Sequence, residues 1–183
     1  MNRAIVDIET GGFSVTKNGI CEIGMLIIDE KFDVISEYST LIKPYTRPDS
    51  TEMVSYKDDA MAVNGIEIKD LINKGLDVRT VCHQLNYLIY MNKVGEFIGH
   101  NIKSFDAPRL NHFFERFSNR QKIDFSNYQD TMSISRKINK DLKSHSLQSL
   151  CEFYGIVNDS EHRALGDCRA TLEVYKRLMI ESS

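Results

Sequence analysis

Residues Ile20–Asp29 are apolar almost without a break, and such a segment has to be hidden from water as a strand. Ala4–Ile8 is a shorter run of the same kind. Val34–Lys43 alternates imperfectly and reads as a third strand, and the turn-like segment Asp29–Asp33 joins the second and third as a hairpin. Pro44 to Pro48 ends this sheet-forming part. Helices are expected over Ser55–Asn64, stopped at Gly65, and over Ile68–Asn73, stopped at Gly75. Val81, Leu85, Leu88 and Ile89 give Val78–Asn92 the spacing of an amphipathic helix. A fourth strand at Glu96–Ile98, a helix over Pro108–Phe117 and a short fifth strand near Lys122–Phe125 follow. Helices near Thr131–Ile138, Leu147–Tyr154 and Arg163–Met179 complete the pattern. Three consecutive strands, then strands separated by helices, predict a mixed α/β architecture in one domain spanning residues 1–183.

Composition agrees with one globular domain: 183 residues, 42% hydrophobic and 27% charged, exclude a disordered or fibrous chain. The longest apolar run, Ile23–Ile28, is far shorter than the ~20 residues of a membrane-spanning helix. Arg3 is followed at once by Asp7 and Glu9, so no signal-peptide pattern is present. Cys21, Cys82, Cys151 and Cys168 are widely spaced, which excludes a zinc knuckle or disulfide scaffold and makes a reducing cytoplasm the expected compartment. The net charge of −3 disfavours a broad basic coat, yet residues 103–145 carry 9 basic against 5 acidic groups. That strip reads either as a solvated helical surface or as a track for phosphates beside an acidic pocket.

Three acidic elements carry the chemistry. In Asp7-Ile8-Glu9 the two carboxylates project from one face of the first strand while Ile8 goes to the other. Asp106 lies at a strand-to-helix junction, where open α/β sheets place ligands. Five residues turn ~140° around a helix, so His162 and Asp167 converge only if His162 sits in the preceding loop. Alone, each element has a plainer reading: a solvated strand end, a helix N-cap, a surface histidine with a salt bridge to Arg163 or Arg169. Together, four converging carboxylates would repel unless divalent cations neutralised them. Mg²⁺ prefers such oxygen ligands and keeps phosphate oxygens or waters as further partners. Two such ions suit phosphodiester cleavage, and a histidine suits deprotonation of the attacking water.

These residues resemble the DEDDh 3′-to-5′ exonuclease family, whose members include the proofreading epsilon subunit of bacterial DNA polymerase III. Asp7 and Glu9 in VDIETGG, Asp106 in GHNIKSFD, and His162 with Asp167 in HRALGD match its three motifs. AMAVNGI (60–66), QDTMSISRKI (129–138) and SHSLQSLCEFYGI (144–156) extend the likeness over nearly the whole chain. The resemblance implies a ribonuclease H-like fold, a mixed five-stranded sheet flanked by helices. It implies two Mg²⁺ or Mn²⁺ ions held by Asp7, Glu9, Asp106 and Asp167, with His162 as general base. Thr10 and Gly11 would lie against the terminal nucleotide, Asn101 would shape the pocket, and Phe13 and Ile66 would contact the terminal bases. The second motif has one residue more than the epsilon pattern, and Asn64 stands where many epsilon-like members have histidine. The implied activity is release of nucleoside 5′-monophosphates from DNA 3′ ends, preferably single-stranded. An RNA exonuclease and a catalytically silent nucleic-acid-binding module are the alternatives. A polymerase or a second copy is an expected partner class, and a membrane is not. The chain ends at Ser183 after its last helix, without the extension that binds polymerase in such subunits, which weakens polymerase docking as an expectation.

Overall fold

The computed structural model describes all residues except 48–49, 119–122, 159 and 183. The order of elements is β1 (Asn2–Thr10), β2 (Ile20–Ile28), β3 (Val34–Leu41), α1 (Asp58–Asn64), α2 (Ile68–Lys74), α3 (Val78–Met91), β4 (Val94–Gly99), α4 (Asp106–Phe117), β5 (Tyr128–Asp130), α5 (Thr131–Ile138), α6 (Leu147–Tyr154) and α7 (Ala164–Glu181). The strands form one mixed sheet in the order β3-β2-β1-β4-β5. β1 runs antiparallel to β2 and parallel to β4, while β2–β3 is the expected hairpin and β5 lies parallel to β4. The carboxylate of Asp29 closes the hairpin turn by accepting the backbone N–H groups of Lys31 and Asp33.

Helices cover both faces, which explains the unbroken apolar run: every residue of β2 is buried. Ala4, Val6 and Ile8 of β1 pack with Val81 and Leu85 of α3 and Leu110, Phe113 and Phe114 of α4. Ile5, one residue out of phase, packs on the opposite face against Cys168, Leu172 and Tyr175 of α7. Leu150 and Cys151 of α6 form a further layer outside α7.

Two expectations about elements need correcting. Strand β5 is at Tyr128–Asp130, not near Lys122–Phe125. Ile123 and Phe125 are apolar because they enter the core beside Phe114 without pairing in the sheet, and Lys122 lies outside the described residues. Helix α1 begins at Asp58 rather than Ser55. Ser55 is held extended, its N–H donating to the Lys17 carbonyl and its own carbonyl accepting from Gly19. Among the described residues, no helix is long and apolar enough to cross a membrane.

Candidate active site

The alternation of β1 that sends Ile5 toward α7 sends Asp7 and Glu9 the same way, at the end of the strand where the apolar cover stops. In the register with β2, Asp7 faces Gly24 and Glu9 faces Glu22. Both partners exist for the first turn of α7. A Cβ at Gly24 would lie 2.5 Å from the Ala164 carbonyl carbon and 2.6 Å from the Leu165 nitrogen, so only glycine admits the helix there. Glu22, buried, accepts the Ala164 N–H at 3.2 Å and takes Nε and Nη2 of Arg163 at 3.0 and 2.8 Å. The helix is thus pinned with Asp167 over Asp7. Oxygens of Asp7, Glu9 and Asp167 lie within 4.8 Å of one another.

Asp106 approaches from the other side, in the first turn of α4 beyond the end of β4. It is 2% exposed, its carboxylate is held by the backbone N–H of Ile8 and by its own, and Oδ1 has no partner. Burial, then the charges of Asp106, Asp167, Glu9 and Glu22, push the Asp7 carboxyl well above the ordinary range. Burial and the same crowd of charges raise Glu9 to about 8, and burial raises Asp106 to about 7. Asp167 is raised too by burial, although Asn158 and His162 oppose the rise. Asp7, Glu9 and Asp167, whose oxygens cluster, form a hard-oxygen donor set, with Asp106 close enough for its charge to act on Asp7, and they fit a divalent cation whose charge would offset the repulsion.

His162 lies outside the helix, in a turn closed by the Arg163 N–H on the Ser160 carbonyl. Its φ of 61° is in the left-handed region, uncommon for a residue with a Cβ. Its ring is half exposed, with Nε2 3.8 Å from Glu161, and its charge and backbone N–H act on the Asp167 carboxylate. The loop position required for convergence with Asp167 is the one observed. Arg163 and Arg169 pair with Glu22 and Glu37 across to the sheet, rather than with neighbours on their own helix.

Beside the acidic cluster runs a groove of about 230 Å³ lined by Glu9, Thr10, Gly12, Phe13, Lys57, Asn64 and Phe105, among others. The Thr10 hydroxyl donates to the Gly12 carbonyl, and Gly12 takes a φ of 144° that L side chains avoid. The Gly11 backbone is tied on both sides, its N–H to Gly19 and its carbonyl to Lys57. Phe13 is 80% exposed and meets Phe105 edge-on at 6.5 Å, so it is no core residue. Ile66 is 6% exposed, packs with Cys21 and Leu71, and does not line the groove. Asn101, at φ 58°, shapes the β4–α4 loop, accepting the N–H groups of Ser104 and Phe105 on its carbonyl.

Several side chains that build the site gave no sequence signal of their own. Besides Glu22 and Gly24, buried Arg109 stacks 3.8 Å over the Phe105 ring and donates to the carbonyls of Phe105 and Phe13, joining α4 to the glycine turn. The Asp130 carboxylate collects the N–H groups of Asn101, Lys103 and Ser133, fixing the loop that leads to Asp106. Asn158 donates to Asp167 at 2.7 Å. Asn64 is bound at both ends of its amide, donating to the Thr10 carbonyl and accepting the Ile66 N–H. The sequence marked this position only as a departure from the histidine of many epsilon-like members, and gave no sign of the two bonds its amide makes.

The model of an exonuclease family, RNase_T, matches residues 4–175. DNA polymerase III subunit epsilon of Aquifex aeolicus is 23% identical over 97% of this chain and 80% of its own length. PolC-type DNA polymerase III of Thermotoga maritima is 29% identical over 96% of this chain, which spans only 12% of that protein. Among solved structures, E. coli exonuclease I in complex with a dT13 oligonucleotide superposes with a TM-score of 0.79 at 18% identity, covering 99% of this chain and 41% of that one. E. coli exonuclease I in a complex described as ExoI/SSB-Ct gives 0.77 at 20% identity over 98% of this chain and 41% of that one. The shared architecture is the ribonuclease H-like exonuclease fold.

Proposed function

Because this chain belongs to the RNase_T exonuclease family, in its DnaQ-like 3′-to-5′ group, we propose that it is a metal-dependent hydrolase releasing nucleoside 5′-monophosphates from single-stranded DNA 3′ ends. The observation that carries this reading is the convergence of Asp7, Glu9 and Asp167 oxygens within 4.8 Å, beside a groove walled by two aromatic rings. Asp7, Glu9, Asp106 and Asp167 would hold divalent ions, Mg²⁺ or Mn²⁺. When bound, such ions neutralise the carboxylates and stabilise charge developing on the phosphate oxygens.

The chain supplies the rest. Phe13, exposed on the glycine turn with Phe105 edge-on beside it, offers a π-face on which a splayed terminal base stacks, a contact available only to an unpaired end. Arg109 and the Thr10 hydroxyl keep the glycine turn in the shape that presents Phe13. His162, on its turn at the rim, accepts the proton of the attacking water, its place beside Asp167 being set by the turn that precedes α7. The oligonucleotide named with exonuclease I is DNA, which favours a DNA substrate here.

Incubation of 5′-labelled single-stranded DNA and RNA of matched sequence with Mg²⁺, with and without chelator, tests the reading. The expected result is stepwise shortening of the DNA from its 3′ end, abolished by chelator, with nucleoside 5′-monophosphates as products. Preferential shortening of the RNA would transfer the activity to RNA ends. Internal cleavage, or intact strands with either metal, would overturn it.

A further inference from the structure

The chain carries a basic segment that takes no part in the acidic site. Between Thr131 and Ser146 the chain carries Arg136, Lys137, Lys140 and Lys143 against a single acid, Asp141, in a protein of net charge −3. Helix α5 turns Thr131, Ile134, Ser135 and Ile138 inward, which leaves Arg136 and Lys137 facing outward. Lys103, Lys140 and Lys143 are exposed as well. Among the described residues, none of these five cations is within ion-pair distance of a carboxylate, whereas Arg163 and Arg169 on the neighbouring α7 are both satisfied.

The placement follows from topology. Because β5 is parallel to β4, α5 starts at the same end of the sheet as the loop leading to Asp106. The Asp130 carboxylate locks the two together by binding the N–H groups of Lys103 and Ser133. The segment after α5 is pinned back on the helix, with His145 Nδ1 2.9 Å from the Ser135 hydroxyl. α5 also packs on α7, which carries Asp167. Lys103 therefore sits in the loop leading to Asp106, and Arg136, Lys137, Lys140 and Lys143 follow, exposed, along α5 and the segment after it, which set out from the acidic end of the sheet.

We infer that Lys103, Arg136, Lys137, Lys140 and Lys143 form a track for the sugar–phosphate backbone of the strand lying 5′ to the nucleotide held at the acidic site. The inference rests on the reading of that site as one that takes a strand end. An acidic cluster repels the polyanion it has to receive, and unpaired cations beside it reverse the local field without contacting any base. The track is thus indifferent to sequence and strongly dependent on salt.

The test is the affinity of the full chain for labelled thymidylate tetramers and dodecamers, with Ca²⁺ present and salt varied between about 50 and about 200 mM. Each phosphate neutralised on a single strand contributes a slope of about −0.7 in log K against log salt. The combined variant Arg136→Gln, Lys137→Gln, Lys140→Gln, Lys143→Gln is expected to shallow the slope by about 3 and to bind the dodecamer at least tenfold more weakly. It is also expected to lose the preference for the longer strand. A control with the same charge change on other faces, Lys31→Gln, Lys69→Gln, Lys74→Gln, Lys176→Gln, should keep the wild-type slope. A track variant with wild-type slope and length preference, or a control that shallows the slope equally, overturns the inference while strand hydrolysis with Mg²⁺ stands. Binding with the expected slopes but no hydrolysis overturns the exonuclease reading and leaves the track.

Discussion

Asp7 bears a heavy electrostatic load, since burial and four neighbouring carboxylates all oppose its ionisation. Asp7→Asn removes one charge from that crowd without changing shape. Hydrolysis should fall by on the order of 10³-fold or more, while thermal stability measured in chelator is unchanged or raised, because like-charge repulsion is relieved. An unfolded variant, or one retaining metal-dependent nuclease activity, would contradict this account. His162→Ala should lower kcat by about 10²–10⁴-fold and leave KM within a few-fold, the range for a lost general base. A matching loss of strand binding would assign His162 to the substrate rather than to the proton. That Asp7 and Glu9 share a face, and that His162 must precede the helix to meet Asp167, could be read locally from strand alternation and helix geometry. Each element alone had a plainer reading, and their joint role was implied only by the resemblance. Glu22, Arg109 and Asp130 were not legible, since a lone glutamate in an apolar strand acquires meaning only when Arg163, 141 positions later, arrives beside it.

At the scale of elements, the decisive joint is the first turn of α7 on β2. Gly24→Ala places a methyl group 2.5 Å from backbone, which has no rotamer to yield, so the helix start must move away from Asp7. We expect a loss of ~1–3 kcal/mol in unfolding free energy, the usual penalty for overpacking. Metal-supported activity should drop more than this modest loss of stability implies, since Asp167 moves with the helix. Wild-type activity in Gly24→Ala would show that α7 docks more loosely than its contacts indicate. The same scale shows where periodicity misleads. Ile123 and Phe125 look like strand residues because they are buried, but burial was achieved by a loop. The real β5 has three residues, too few for alternation to register. The long runs of β1 and β2, by contrast, fix their own faces and hence the central sheet.

For the molecule as a whole, the raised carboxyl pKa values couple folding to pH and metal. Glu9 titrates at about 8 when folded against 4.5 ordinarily, and Asp7, Asp106 and Asp167 shift in the same direction. Between those limits the folded state binds more protons than the unfolded one, so stability is greatest in acid and declines as pH rises toward about 8. In chelator, Tm should therefore fall from about pH 5 to about pH 8. A divalent cation at ~100 times its Kd adds ~2.7 kcal/mol, or roughly 5–10 °C for a chain of this size, with the larger rise at the higher pH. A Tm in chelator that climbs with pH would refute this coupling. The docking of α7 on β1 and β2 has a temporal meaning too. Its aspartate is made roughly 160 residues after the first acid of the cluster, so on a ribosome the carboxylates cannot gather until α7 has been synthesised, and a fragment ending before that helix would lack the cluster.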